Sequence, residues 1–237
     1  MVTQLPIQTA EIIYPDSDGQ LMADNTLQYR WIVTIQGGLD SLFQNDPNVF
    51  VAGDLLWYPV EGSNVIRRAP DVMVAIGRPK GDRGSYQQWR EENIPPQVVF
   101  EILSPGNSVK EMVAKHNFYR RYGVEEYYLY DPDKGDLTGW IRDGEELPEI
   151  EQMLGWVSPR LGIRFELSQG QLEIYRPDGE KFVSYVELAR QKEVVQQELE
   201  QEKQRAEQEK QRAEQAEEEL ETLRALLAQK GINPDEL

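Results

Sequence analysis

Between Leu188 and Lys230 the chain carries no proline, no glycine and no aromatic residue. Glu, Gln, Ala, Leu, Lys and Arg dominate this stretch, all of them good helix formers, so it can hardly be anything but a long helix. It has little to offer a packed core, and the change in composition divides the chain into a domain over residues 1–187 and a helical tail over 188–237. The segment QEKQRAE at 201–207 recurs unchanged at 208–214. A seven-residue frame places Leu199, Ala206, Ala213, Leu220 and Leu227 in one stripe, and Leu188, Val195, Glu202, Glu209, Ala216 and Leu223 in its companion. Two heptads therefore set Glu against Ala at the seam, which predicts a loose middle between better apolar ends. Because isolated helices gain most of their stability from packing, the stripes predict a homo-oligomer joined by a coiled coil through residues 188–230.

Ahead of the tail, apolar runs alternate with Gly, Pro, Asn and Asp punctuation. Leu27, Trp31, Ile32, Ile35, Leu39 and Leu42 recur at threes and fours, predicting a helix over about Thr26 to Phe43 despite Gly37 and Gly38. The period then changes: Val49 to Ala52, Leu55 to Tyr58, Asp71 to Ile76 and Val98 to Leu103 read as strands. Ser108-Val-Lys-Glu111 matches a capping box, and Gly123 suits the position just past a helix end, so a helix is expected from Val109 to Tyr122. Strands follow at Glu126 to Tyr130 and Leu137 to Arg142, and a hairpin near Ile163 to Leu167 and Leu172 to Tyr175. Helix and strand alternating around one sheet give an α/β (mixed α+β) fold class.

The formal net charge is −17 and there is no cysteine. Acidic residues outnumber basic ones on both sides of Glu187, which argues against tight non-specific binding of nucleic acid. A local basic run does occur, Arg67, Arg68, Arg78, Lys80, Arg83 and Arg90; its ordinary reading is a solvated loop. Without cysteine there is no disulfide framework, thiolate metal site or cysteine nucleophile, and a cytoplasmic location is expected. No apolar run approaches the roughly 20 residues that span a bilayer, so no membrane partner is expected.

The residue most in need of explanation is Glu101, the one charge in Val98-Val99-Phe100-Glu101-Ile102-Leu103. A carboxylate among buried strand residues is tolerated when it is paired or binds metal; otherwise it lies at an exposed strand edge or meets a core Arg. A second carboxylate opens a neighbouring strand at Pro70-Asp71. Two strands bearing one carboxylate each can hold a hard divalent cation. On the next helix Lys115 supplies a positive charge, or simply pairs with Glu111 four residues earlier. Other chemistries fail for want of parts. His116 is the only histidine; Ser104 lacks the first glycine of a nucleophile elbow and suits a turn; the glycines at 77, 81 and 84 lack the Gly-Lys-Ser/Thr step of a phosphate loop. Tyr127, Tyr128 and Tyr130 fit strand packing better than base stacking.

Taken together, Pro70-Asp71-Val72, Ile94 to Pro105, Lys115 to Tyr119, Tyr122 to Pro132 and Trp156 to Ile163 resemble the Uma-two family, a bacterial group related to restriction endonucleases with a PD-(D/E)XK nuclease-like core. The resemblance covers roughly residues 20–185. It implies a mixed sheet flanked by helices and a metal-dependent endonuclease hydrolysing DNA phosphodiesters. Asp71 and Glu101 would be metal ligands, with the Ile102 carbonyl beside them; Asp71, Glu101 and Lys115 would form the catalytic set, and Mg²⁺ (or Mn²⁺) would be the cofactor. The superfamily pattern has a lysine two residues after the second acid, where this chain has Leu103. The family instead carries one on the following helix, which maps to Lys115. Asp24 would match an additional acid. On this division of labour, Glu101→Gln weakens the metal site and abolishes cleavage, whereas losing Lys115 leaves metal binding largely intact. The alternative is a catalytically inactive nuclease fold that acts as a binding or assembly module through its tail.

Overall fold

A computed structural model describes residues 12–17, 19, 23, 25–168 and 170–230. Helix α1 (Thr26–Leu42) starts where the Asn25 side chain accepts the Gln28 amide at 2.8 Å. Four strands follow, β1 (Val49–Gly53), β2 (Trp57–Tyr58), β3 (Val72–Ile76) and β4 (Tyr86–Gln87), and then β5 (Val98–Ile102). Helix α2 (Val109–Tyr122) leads into β6 (Glu126–Asp131) and β7 (Asp136–Ile141), and a hairpin of β8 (Arg164–Ser168) and β9 (Gln171–Tyr175) follows. The ends of α2 agree with the sequence reading. Ser108 Oγ accepts the Glu111 amide at 3.2 Å, and Gly123, at φ +94°, returns its amide to Tyr119.

Strands β1, β3, β5, β6 and β7 form one mixed sheet in that order. All neighbours are antiparallel except β5 and β6, whose parallel pairing requires a crossover, supplied by α2. Side chains alternate between two buried faces. Val72, Val74, Val98, Phe100, Ile102, Tyr128 and Tyr130 pack with α1 and the β8–β9 hairpin. Met73, Ala75, Val99 and Tyr127 pack with Trp57, Tyr86 and Tyr119 on the α2 side. Because both faces are covered, β5 reads as an almost continuous apolar run. Gly38 has a specific task in α1: a Cβ there would stand 2.3 Å from the Phe182 ring, so only glycine lets that ring lie against the helix.

At the start of β6 a buried carboxylate fastens the segment before the hairpin to the sheet. Glu126 accepts hydrogen bonds from Tyr128 Oη at 2.9 Å, Ser158 Oγ and the Arg160 amide at 2.7 Å, and Ser158 Oγ also receives the Leu161 amide at 3.0 Å. The Trp156 to Ile163 segment thus acts as a clasp. Burial pushes the Glu126 carboxyl up, while these donors pull against it.

The chain divides into two compact units at Ser184 and Tyr185. The second consists of α3 (Tyr185–Gln229), 45 residues and about 68 Å at the usual rise per residue. Its start precedes Leu188 because the change in composition marks where the aromatics stop, and Tyr185 is still helical. Leu188, Val195, Leu199, Leu220 and Leu223 are exposed along it. No described helix is long and apolar enough to cross a membrane.

Candidate functional site

Register brings the two carboxylates together. In the β3–β5 ladder Val72 faces Phe100 and Met73 faces Val99. Continuing it by one residue sets Asp71 across from Glu101, and their parity with Met73 and Val99 puts both on the α2 face, where facing Cβ atoms lie about 5 Å apart. Asp71 bends into the end of the strand, its Oδ2 accepting the Ile102 amide at 2.6 Å. Asp71 and Glu101 are buried, at 7% and 2% exposure.

Helix α2 reaches over this pair with two side chains one turn apart. Lys115 Nζ donates to Glu101 Oε2 at 2.8 Å, and the Tyr119 hydroxyl donates to Glu101 Oε1. Glu111 lies 3.8 Å from the same ammonium, so the i,i+4 pair exists but is subordinate to the tertiary one. Trp57 stacks on Tyr119 at 6.5 Å between ring centroids, and Tyr127 meets it edge-on at 5.0 Å, which holds the phenol in place.

The electrostatics follow from this crowding. Burial, reinforced by the adjacent Glu101, pushes the Asp71 carboxyl well above the usual range, against the pull of the Ile102 amide and Lys115. For Lys115, burial opposes the charge, but Glu101, Asp71 and Glu111 outweigh it and hold the ammonium above its ordinary pKa. Burial and then Glu101 push the Tyr119 hydroxyl up, so it remains a neutral donor. Two carboxyl groups thus stand near one cation that is bonded to Glu101 alone, and among the described residues no other basic side chain pairs with either acid.

Two further residues reach the site that sequence reading did not single out. Gln28 Nε2 donates to the Ile102 carbonyl at 2.9 Å from α1. Its signal was a polar residue on the buried stripe Gln28, Ile32, Ile35 and Leu39. Asp54 follows β1, and continuing the β1–β3 register places it opposite Asp71. It adopts φ +47°, with its amide donated to the Pro70 and Asp71 carbonyls, and its charge adds to the upward push on Asp71. Asp24 lies outside the described residues.

The donor set bears on metal binding. Among the described residues no three His, Asp or Glu side chains gather into an ion site. Mg²⁺, however, is ordinarily held by one or two carboxylates and keeps several waters. Asp71 and Glu101, short of positive charge, meet that requirement, and the Ile102 carbonyl retains a second lone pair beside Gln28.

Leu103, where the superfamily carries lysine, instead lines a cavity of about 620 Å³ between α2 and β6–β7. Its walls include Met112, Leu129 and Trp140, with Asp131 and Lys134 at the rim. The basic run is largely spent on folding its own loop. Arg78 and Arg83 pair with Glu91 at 3.0 and 2.7 Å, Arg83 stacks on Phe50 at 3.9 Å, and Arg67 and Arg68 donate to main-chain carbonyls. His116 faces the Leu147 carbonyl at 3.1 Å, and Ser104 joins Asn107 in the turn before α2, so neither contributes a nucleophilic triad.

The Uma2 family, described as a putative restriction endonuclease, matches residues 3–168. The chain belongs to the Uma2 family. Among solved structures, a crystal structure of a putative nuclease belonging to DUF820 from Anabaena variabilis ATCC 29413 is similar over 55% of this chain and 70% of that one, at 16% identity and a TM-score of 0.40. No curated protein matches the chain. As a Uma2 member the protein is restriction-endonuclease-like; in it Glu101 stands on β5 and Lys115 on α2.

Proposed function

We propose that this Uma2 protein is a divalent-metal-dependent nuclease that hydrolyses DNA phosphodiester bonds, with Asp71 and Glu101 as metal ligands and Lys115 as the charged partner of the reacting phosphate. The observation that carries the reading is the facing carboxylate pair under Lys115. Asp71, Glu101 and the Ile102 carbonyl would hold Mg²⁺ or Mn²⁺. When bound, such an ion polarises a phosphate oxygen and makes water a stronger nucleophile. Lys115 neutralises charge that builds on the phosphorus, and Tyr119 fixes the orientation of Glu101. The protein acts in the cytoplasm, and residues 188–230 join it to further copies.

The test combines Mn²⁺ calorimetry with cleavage of plasmid and single-stranded DNA at low salt, where an acidic protein still meets DNA. Wild-type protein cleaves only with the metal, and Glu101→Gln loses both metal uptake and cleavage. Undiminished cleavage by Glu101→Gln would refute the assignment. Leu103 in place of the superfamily lysine and the internally paired arginines favour a second reading, an inactive nuclease fold that acts in assembly. Metal uptake without cleavage of any nucleic acid is the outcome that selects it.

A further inference from the structure

Both oxygens of Glu101 are engaged by a single helix, Oε2 by the Lys115 ammonium at 2.8 Å and Oε1 by the Tyr119 hydroxyl. These two bonds differ in kind. Tyr119 is a neutral donor sealed into an aromatic cluster with Trp57, Phe118 and Tyr127, whereas Lys115 ends a flexible four-carbon stem and keeps 15% side-chain exposure. A divalent ion and an ammonium on one buried carboxylate repel each other strongly, because the local dielectric is low.

We infer that Lys115 and a divalent cation are alternative occupants of Glu101: an ion taken up by Asp71 and Glu101 displaces the ammonium from Oε2, while Tyr119 keeps Oε1 and preserves the carboxylate's orientation. The inference rests on the metal reading proposed above. A second acceptor for the displaced lysine already stands in reach. Glu111 Oε1 lies 3.8 Å from Nζ, one turn back on α2, and its side chain is 45% exposed. Lys115 therefore has an outward position near solvent, where a phosphate arrives. The ion loads first, and only then is the lysine released to the substrate. Tyr119 is a positioning residue in this scheme.

Mn²⁺ titration of metal-stripped, full-length protein at pH 8 tests the exchange. Lys115→Met is expected to bind Mn²⁺ about ten- to a hundredfold more tightly, the worth of one charge-assisted hydrogen bond that no longer has to break. Tyr119→Phe binds it several-fold more weakly with its fold retained. Wild-type protein supplies a readout that needs no variant: acylation of Lys115, followed by mass spectrometry, increases on saturation with Mg²⁺. Equal or weaker Mn²⁺ affinity in folded Lys115→Met, or Lys115 labelling indifferent to Mg²⁺, overturns the exchange. Glu101→Gln separates this from the underlying site. Undiminished uptake there removes the metal reading itself, whereas lost uptake without a gain in Lys115→Met removes the exchange alone.

Discussion

Glu101 and Lys115 should be energetically inseparable in the metal-free protein, and a double-mutant cycle measures how strongly. Lys115→Met strands a carboxylate of 2% exposure with one neutral donor, Tyr119, beside the like charge of Asp71. Breaking a buried pair from one side costs about 3–5 kcal/mol, and the residual exposure of Lys115 places this case near the low end, about 3 kcal/mol. Glu101→Gln is milder, about 1–2 kcal/mol, because Lys115 keeps the attraction of Asp71 and Glu111 and the repulsion on Asp71 disappears. With both changed, the amide still accepts from Tyr119 and Met covers the site, so the double variant should lose only about 1–2 kcal/mol. The expected coupling is therefore about 2–4 kcal/mol, read from urea unfolding by tryptophan fluorescence at pH 7 in chelator. Additivity within about 0.5 kcal/mol would refute the reasoning, since residues that do not interact add to that precision.

Asp71→Asn should stabilise the metal-free protein at pH 7. The folded Asp71 pKa is raised, so its stabilising share is complete below the ordinary carboxylate pKa and is lost as pH rises through the folded value. The gain of the Asn variant must accordingly shrink toward zero near pH 4 in chemical unfolding. Ser158→Ala should cost about 1–3 kcal/mol by leaving Glu126 short of a buried donor, yet leave Mn²⁺ affinity unchanged, as thermal melts and calorimetry together will show. Replacing Glu202 and Glu209 with Leu in the full chain should tighten self-association by at least tenfold in sedimentation equilibrium; a monomer at every concentration removes the coiled coil.

The elements were legible because local rules and tertiary packing agree here. The caps at Ser108 and Gly123 set the ends of α2, and the strand periods marked the sheet. Glu101 stood out because a charge in an apolar run conflicts with its surroundings. Tyr119 was not legible, because its ring suits the core and only the seating of α2 on the sheet brings its hydroxyl to Glu101. Glu126 likewise reads as an ordinary strand opening, and its partners at Ser158 and Arg160 lie more than 30 residues away. The basic run misled for the opposite reason: composition counts charges, whereas Arg78 and Arg83 are already paired with Glu91 and Glu92.

The lysine's place on α2 ties competence to docking. A lysine on β5 itself would be held near Glu101 by covalent chain alone, in any state where that strand is formed. Lys115 reaches Glu101 only while α2 is seated against the sheet, with Trp57 stacked on Tyr119. On the proposed metal reading, if α2 lifts while the sheet survives, the two acids stay facing each other and would still take up an ion, but neither lysine nor tyrosine attends them. Such a half-open protein would sequester ions and cleave nothing, so hydrogen exchange along Val109–Tyr122 should track the active fraction more faithfully than metal content does.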